Sequence, residues 1–433
     1  MSRRVVITGV GLVSPLGNSA ASLWQGLIDG VSAVAPLTSI PTGGFPTKFG
    51  AEALGFTSSI DDFGPLEKTM SRNIKKNLKV MCREIQMGVA VAQLAITDAK
   101  LPMASLNLER FGAVYGSDYM LTLPQEFTAG IRGCVGADGK FDFTQWAEHG
   151  LPAVEPLWLL KYLPNLPASH VAIFNDLRGP NNSLTMREAS PNLAVAEAFC
   201  TIERGHADIM LAGATGTRIH PARTIHVALQ EEIARGDSPE KLSRPFDKNR
   251  TGLVIGEGAA AIVLEELESA QARGATILAE VIGFGASAVN ENGIGNTHVA
   301  VKNALAQSLR TSKLKIADVD HLNAHGLGTK QSDAAEASAI AAVFGDRAKP
   351  LPVTTAKGHM GNLGAGGGMV EMVGSVMALR DGRLFGTLNF ETPDPECPVH
   401  VATGSSTPAG KSFINLNVTP QGQASAVVVK AFA

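Results

Sequence analysis

Four short stretches of this chain hold side chains that can do chemistry. The first runs from Gly179 to Ser190, contains Glu188, and is followed by an apolar pattern through Ala194, Val195, Ala198 and Phe199. That pattern predicts a buried helix, so Glu188 stands at a helix N-terminus, where the macrodipole favours negative charge. A carboxylate there can act as a general base toward a carbon beside a carbonyl. It can also simply fill space and make an ion pair, with His325 or with Arg187 next to it. It is no substitute for a thiolate in acyl transfer, because it forms no stable, exchangeable thioester. The second stretch, Asn323-Ala324-His325-Gly326-Leu327-Gly328-Thr329, carries one histidine in a glycine-rich setting. A neutral imidazole there can donate a hydrogen bond to an oxygen that gains negative charge. The third, Lys357-Gly358-His359-Met360-Gly361-Asn362, offers a lysine, a histidine and an amide. The fourth, Asn417-Val418-Thr419-Pro420-Gln421-Gly422-Gln423, is turn-rich, and its Pro420 has no backbone N–H to donate.

The elements that must position these groups follow from pattern. Short β-branched runs at 4–8, 112–116, 208–212, 259–265 and 319–323 predict strands. Between Arg72 and Asp98, Leu78, Met81, Ile85, Val89, Ala92 and Ile96 recur at three- and four-residue steps and predict one long amphipathic helix. Alternation of this kind implies α/β layers around buried sheet. Residues 118–170, with Trp146, Trp158 and Tyr162, break the pattern and read as an irregular cap.

Composition narrows the function classes. With 433 residues, 45% hydrophobic content and a net charge of −3, the chain suits a well-packed α/β protein with no attraction to nucleic acid or anionic membrane. Cys82, Cys134, Cys200 and Cys397 lack CxxC spacing, which argues against a zinc site or a disulfide framework and for reduced thiols in the cytoplasm. Cys200, twelve residues past Glu188, is read as a structural cysteine rather than a displaced nucleophile. Arg3-Arg4 followed by residues 5–16 is broken by Gly9, Gly11 and Pro15, so it reads as a strand and turn rather than a leader.

Together these motifs resemble the type II, elongating β-ketoacyl-ACP synthases. The resemblance spans nearly the whole chain. It rests on Val6-Ile7-Thr8-Gly9-Val10-Gly11 with Ser14-Pro15-Leu16-Gly17, and on Arg244-Pro245-Phe246-Asp247, Arg250-Thr251-Gly252 and Gly256-Glu257-Gly258-Ala259. It rests also on the histidine and lysine stretches above. The resemblance implies a five-layer α-β-α-β-α thiolase fold of two similar halves, 1–270 with the cap at about 118–170, and 271–433. It implies no cofactor, a dimer, and an acyl carrier protein or its acyl chain as partner. Arg72, Lys75, Lys76 and Lys79 could dock such a carrier, but read first as a solvated helix face. It places Glu188 where the family has its nucleophilic cysteine, His325 at the first histidine, and Lys357 at the lysine. Asn362 falls where the second histidine belongs. Lys357 is expected to pair with Glu336, and Asn323, Glu371 and Asn417 fall where some relatives hold a structural cation. The family's glycine loop, with its gating phenylalanine, is replaced by Asn417, Thr419, Pro420, Gln421 and Gly422.

Three altered features on an intact scaffold imply a subunit that does not condense. It would resemble the chain-length factors that shape an acyl tunnel beside a cysteine-bearing ketosynthase, as a heterodimer, or it would pair with itself. The alternatives are decarboxylation of malonyl-ACP, as in loading ketosynthases, and another acyl-thioester reaction using Glu188 and His325.

Overall fold

A computed structural model describes residues 3–432. Its first strand, β1 (Val5–Val13), is buried at every position. A near-continuous apolar run of that kind marks a strand covered on both faces. Helix α1 (Arg83–Asp98) follows, then β2 (Phe111–Ser117), the cap, and β3 (Asn181–Thr185). Helix α2 (Ser190–Glu203) leads to β4 (Ile209–Thr217), and β5 (Glu257–Glu266) to β6 (Ala279–Ala288). Next come α3 (Thr297–Ser312), β7 (His321–Asn323), α4 (Lys330–Phe344) and β8 (Pro352–Thr354). Helix α5 (Gly367–Asp381) precedes β9 (His400–Val401), β10 (Ser412–Val418) and β11 (Gln423–Lys430).

These strands form one sheet in the order β9-β8-β7-β10-β11-β6-β1-β5-β4-β2-β3. Its seam is short: β1 meets β6 only through Val5 to Ile7. On either side of the seam the sheet wraps around α2 and α5. Helix α2 touches β2 and β4 on one side and β11 on the other, and α5 touches β5 and β10. Helix α1 covers the outer face of β1, β5 and β4, while α3 covers β6 and β11 and carries α4. The five layers α-β-α-β-α are therefore present. The sandwiched helices are almost wholly buried, which explains why their sequences lack a polar face.

All five expected strands exist. The single helix expected over 72–98 does not. It is two helices, Lys68–Asn77 and α1, separated by a short 3-10 turn and by extended backbone at Met81 and Cys82. The reason is tertiary: Cys82 N–H bonds the Lys161 carbonyl of the cap at 3.2 Å, and Gln86 Nε2 bonds the carbonyls of Leu78 and Met81 at 3.3 and 3.0 Å. The cap holds the short helix Pro124–Gly133, several 3-10 turns and the helix Leu166–Asn175, irregular as expected.

Candidate functional site

The chain enters the site through a sharp corner between β3 and α2. Arg187 has φ +52°, a left-handed conformation that strains a residue with a side chain. Ser190 fixes the corner: its Oγ accepts from Met186 N–H at 2.8 Å and donates to the Ser117 carbonyl at 2.9 Å. Glycine permits the approach, since a Cβ on Gly116 would lie 2.7 Å from Ser190 Cβ.

Glu188 is buried at this corner, with one of its two carboxylate oxygens hydrogen-bonded. One carboxylate oxygen, Oε1, accepts from Arg218 Nη2 and from Asn362 Nδ2, the latter at 3.1 Å. The other, Oε2, lies 3.4 Å from Arg187 Nε without an aligned hydrogen bond. Arg218 is wholly buried, and its Nη1 donates to Asp118 Oδ2 at 2.9 Å. Burial alone would raise the Glu188 pKa, but the charges of Arg218 and Arg187 outweigh it and hold the carboxyl well below its usual range. Glu188 is therefore an ionised carboxylate in a chain of alternating charge, Asp118–Arg218–Glu188–Arg187–Glu231. The last link is an ion pair of 3.4 Å between Arg187 Nη2 and Glu231 Oε2. Burial and the nearby Glu188 raise the Glu231 pKa.

Of the two partners expected for Glu188, Arg187 lies against it and His325 makes no hydrogen bond to it; Asn362, Arg218 and Asp118 were not expected there. The signal in the sequence was an arginine and an aspartate placed directly after buried strands, at the ends of β4 and β2. Such charges need partners, but which partners depends on how the strands lie side by side.

His325 is buried on the loop after β7, and its Nδ1 has no hydrogen-bond partner. Burial, reinforced by Lys357, holds it neutral. No hydrogen bond joins it to Glu188 among the described residues. The expected Lys357–Glu336 pair does not form. Lys357 Nζ instead bonds Glu371 Oε1, from α5. Glu336 is saturated by backbone, with Oε1 accepting from His325 N–H at 2.7 Å and Oε2 from Gly326 N–H at 2.8 Å. It therefore braces the histidine loop rather than the lysine. Asn323 and Asn417 do converge on Glu371: Asn323 Nδ2 bonds its carbonyl and Asn417 Nδ2 its Oε2, each at 2.9 Å. With Lys357 on Oε1, both Glu371 carboxylate oxygens are engaged, while Asn323 Oδ1 is buried without a hydrogen-bond partner.

His359 lies outside the site, its ring nitrogens each 3.0 Å from the carbonyls of Val31 and Gly386. Cys200 is about 18 Å along α2 from the corner, given a helical rise of about 1.5 Å per residue. Burial raises its thiol pKa, which suits its structural reading. Asp247 and Arg250 brace loops, as expected. Asp247 Oδ2 accepts from Glu391 and Thr392 N–H at 2.8 and 2.6 Å, and Arg250 donates to the carbonyls of Thr329 and Lys330 at 3.0 Å. The segment Thr419–Gly422 is the tight turn joining β10 to β11, closed by Gly422 N–H to the Thr419 carbonyl at 3.0 Å, and its Pro420 lines a cavity. From this turn Gln421 Oε1 accepts from Arg187 Nη1 at 3.1 Å.

Beside the site lies an open cavity of about 690 Å³, lined in part by Gln230, Glu231, Glu232, Glu291, Gln331 and Pro420. Its lining holds three glutamates and neither lysine nor arginine.

Comparison with known proteins completes the description. Residues 2–270 match the β-ketoacyl synthase N-terminal domain and residues 278–391 its C-terminal domain. A 3-oxoacyl-[acyl-carrier-protein] synthase 2 from Coxiella burnetii is 35% identical over 398 residues, covering 91% of this chain and 90% of the relative. Two solved structures cover the whole chain and are covered wholly by it. One is a β-ketoacyl synthase from Burkholderia phymatum, with 29% identity and a TM-score of 0.84. The other is the ishigamide ketosynthase/chain length factor, with 25% identity and a TM-score of 0.84.

Proposed function

The chain belongs to the β-ketoacyl synthase family, with its thiolase fold, and we propose that it serves there as a non-condensing subunit of the chain-length-factor type. In this reading it pairs with a cysteine-bearing ketosynthase, shapes an acyl tunnel with it, and acts on chains held by an acyl carrier protein. The observation that carries the reading is the state of Glu188. The residue read at the nucleophile position is an ionised carboxylate whose Oε1 accepts from Arg218 and Asn362 and whose Oε2 faces Arg187, so it offers no acyl acceptor and, held ionised by the arginines, only a weak base.

Two surface features support a partner subunit. The edge strand β3 is largely exposed, and an unpaired edge invites pairing. The cap nearby exposes Phe141, Phe143, Leu151, Leu157 and Leu159, an apolar set that suits burial in an interface. The exposed cations Lys68, Arg72, Lys75, Lys76 and Lys79 make no ion pair among the described residues and suit an acidic carrier protein.

One observation favours a second reading. The neutral, unpartnered His325 has the form needed to polarise a thioester carbonyl, so decarboxylation of malonyl-ACP is the alternative. The three glutamates of the adjoining cavity weigh against it, because they repel a malonate carboxylate.

Incubation with malonyl-ACP and acyl-ACP, followed by mass spectrometry, separates the two. The subunit reading expects no acetyl-ACP and no acyl adduct from this chain alone, and complex formation with a cysteine-bearing ketosynthase on size exclusion. Catalytic acetyl-ACP formation that is lost in His325→Ala would establish decarboxylation instead. Glu188→Cys alone is expected to leave condensation absent, because Asn362 and the Pro420 turn remain.

A further inference from the structure

We propose that Arg187 is a gate between the 690 Å³ cavity and the buried cluster of Glu188, Asn362 and His325. This holds whichever chemistry the cluster performs. Arg187 is tied to three separate elements. Its own corner supplies Glu188. The end of the helix Pro221–Gln230 supplies Gln230, at 2.8 Å from Nη1, together with Glu231. The turn between β10 and β11 supplies Gln421. Gln230, Glu231 and Pro420 line the cavity, whereas Glu188 lies behind the guanidinium. Arg187 thus stands between the cavity lining and the buried cluster, with an acid on each side of it.

The contacts are those of a closure that opens rather than of a fixed brace. Both carboxylates lie 3.4 Å away, and Nε has no hydrogen bond, in contrast to the tight Arg218–Glu188 contact behind it. The remaining bonds go to amide oxygens of Gln230 and Gln421, which are exposed residues that exchange readily with water. Glu188 keeps Arg218 when Arg187 swings away, so opening does not leave the Glu188 carboxylate alone. The three glutamates along the route select against anions and for uncharged ligands.

The test uses the native His325 as reporter. The full-length protein is treated with diethylpyrocarbonate, a neutral reagent, and modification is read peptide by peptide. Arg187→Gly removes the guanidinium while suiting the left-handed backbone. Modification of His325 is expected to speed up about tenfold, the change that follows when closure loses about one decade of its equilibrium constant. Gln421→Ala, on the exposed turn, is expected to give a smaller acceleration in the same direction, and it carries the test if Arg187→Gly fails to fold. The buried His321 and His359 serve as controls and are expected to be unaffected. An unchanged His325 rate in both variants overturns the gate. So does equal acceleration at His321 and His359, which would mean that the whole protein has loosened.

Discussion

Glu188 and Glu336 are both buried carboxyls of one site, yet they lie at opposite ends of the protonation range. Burial penalises the charged form of each. Glu188 meets guanidinium groups and is held well below the usual carboxylate range. Glu336 meets two backbone N–H groups, with the carboxyl of Asp333 nearby, and is pushed up to about 8. The difference teaches that backbone dipoles alone do not offset burial in this interior, whereas full charges do. It also separates the two roles. The corner at Glu188 is an ionic plug, and the loop at Glu336 is held by what is largely a neutral acid at pH 7.

The sharpest way to break this comparison is to remove the charge that makes Glu188 different. Arg218→Met leaves Asp118 and Glu188 buried with too little positive charge. Urea unfolding at pH 7 is expected to show a loss of about 3–5 kcal/mol, the usual cost of breaking a buried pair from one side. Adding Glu188→Gln and Asp118→Asn is expected to restore most of it. A loss below about 1 kcal/mol would mean that the chain of charges is exposed in solution.

Glu336 gives a pH signature of the opposite sign. Its folded pKa lies above the ordinary 4.5, so the folded state holds the extra proton and stability is lost as pH rises from 4.5 through about 8. The slope contributed by one group is at most about 1.4 kcal/mol per pH unit. Glu336→Gln is expected to flatten the unfolding free energy between pH 5 and 8. An unchanged slope would place the proton elsewhere.

Histidines set the acid side. Burial lowers His321 and His220 to about 4 from an ordinary 6.5. The unfolded chain therefore binds more protons in that window, and stability falls as pH drops from 6.5 toward 4. Thermal melts of wild type and His321→Asn are expected to converge as the pH drops, because the wild type alone carries the His321 penalty. Parallel curves would sink the assignment.

The smallest effect is expected at an exposed pair. Arg244 Nη2 and Glu391 Oε2 lie 2.8 Å apart, but Glu391 is more than half exposed. Glu391→Ala is expected to cost less than about 1 kcal/mol, as surface pairs do. A larger cost would show that solvent screens this loop less than its exposure implies.

The positions of the site were legible in the sequence because they sit in contiguous motifs. Glu188, His325, Lys357 and Asn362 each belong to a run whose glycines and apolar spacing mark a strand end or a helix start. Their partners were less legible. Lys357 was expected to meet Glu336 and meets Glu371 instead, because the choice depends on how α5 lies against the loop after β7. The helix over 72–98 was misjudged for a similar reason, since periodicity cannot register a hydrogen bond from Cys82 to a cap residue nearly eighty positions away.

By itself, then, the sequence determined the layered fold, the irregular cap, and the presence of a carboxylate at the start of a buried helix. These are local facts, fixed by periodicity, turn residues and side-chain chemistry. Only the tertiary structure decided that this carboxylate is ionised and occupied. That outcome depends on Arg218 and Asp118, which lie 30 and 70 positions from it in the chain and reach it only because β4 and β2 are neighbours in the sheet. Charge in a buried site is a property of who is adjacent, and adjacency is what folding adds to a sequence.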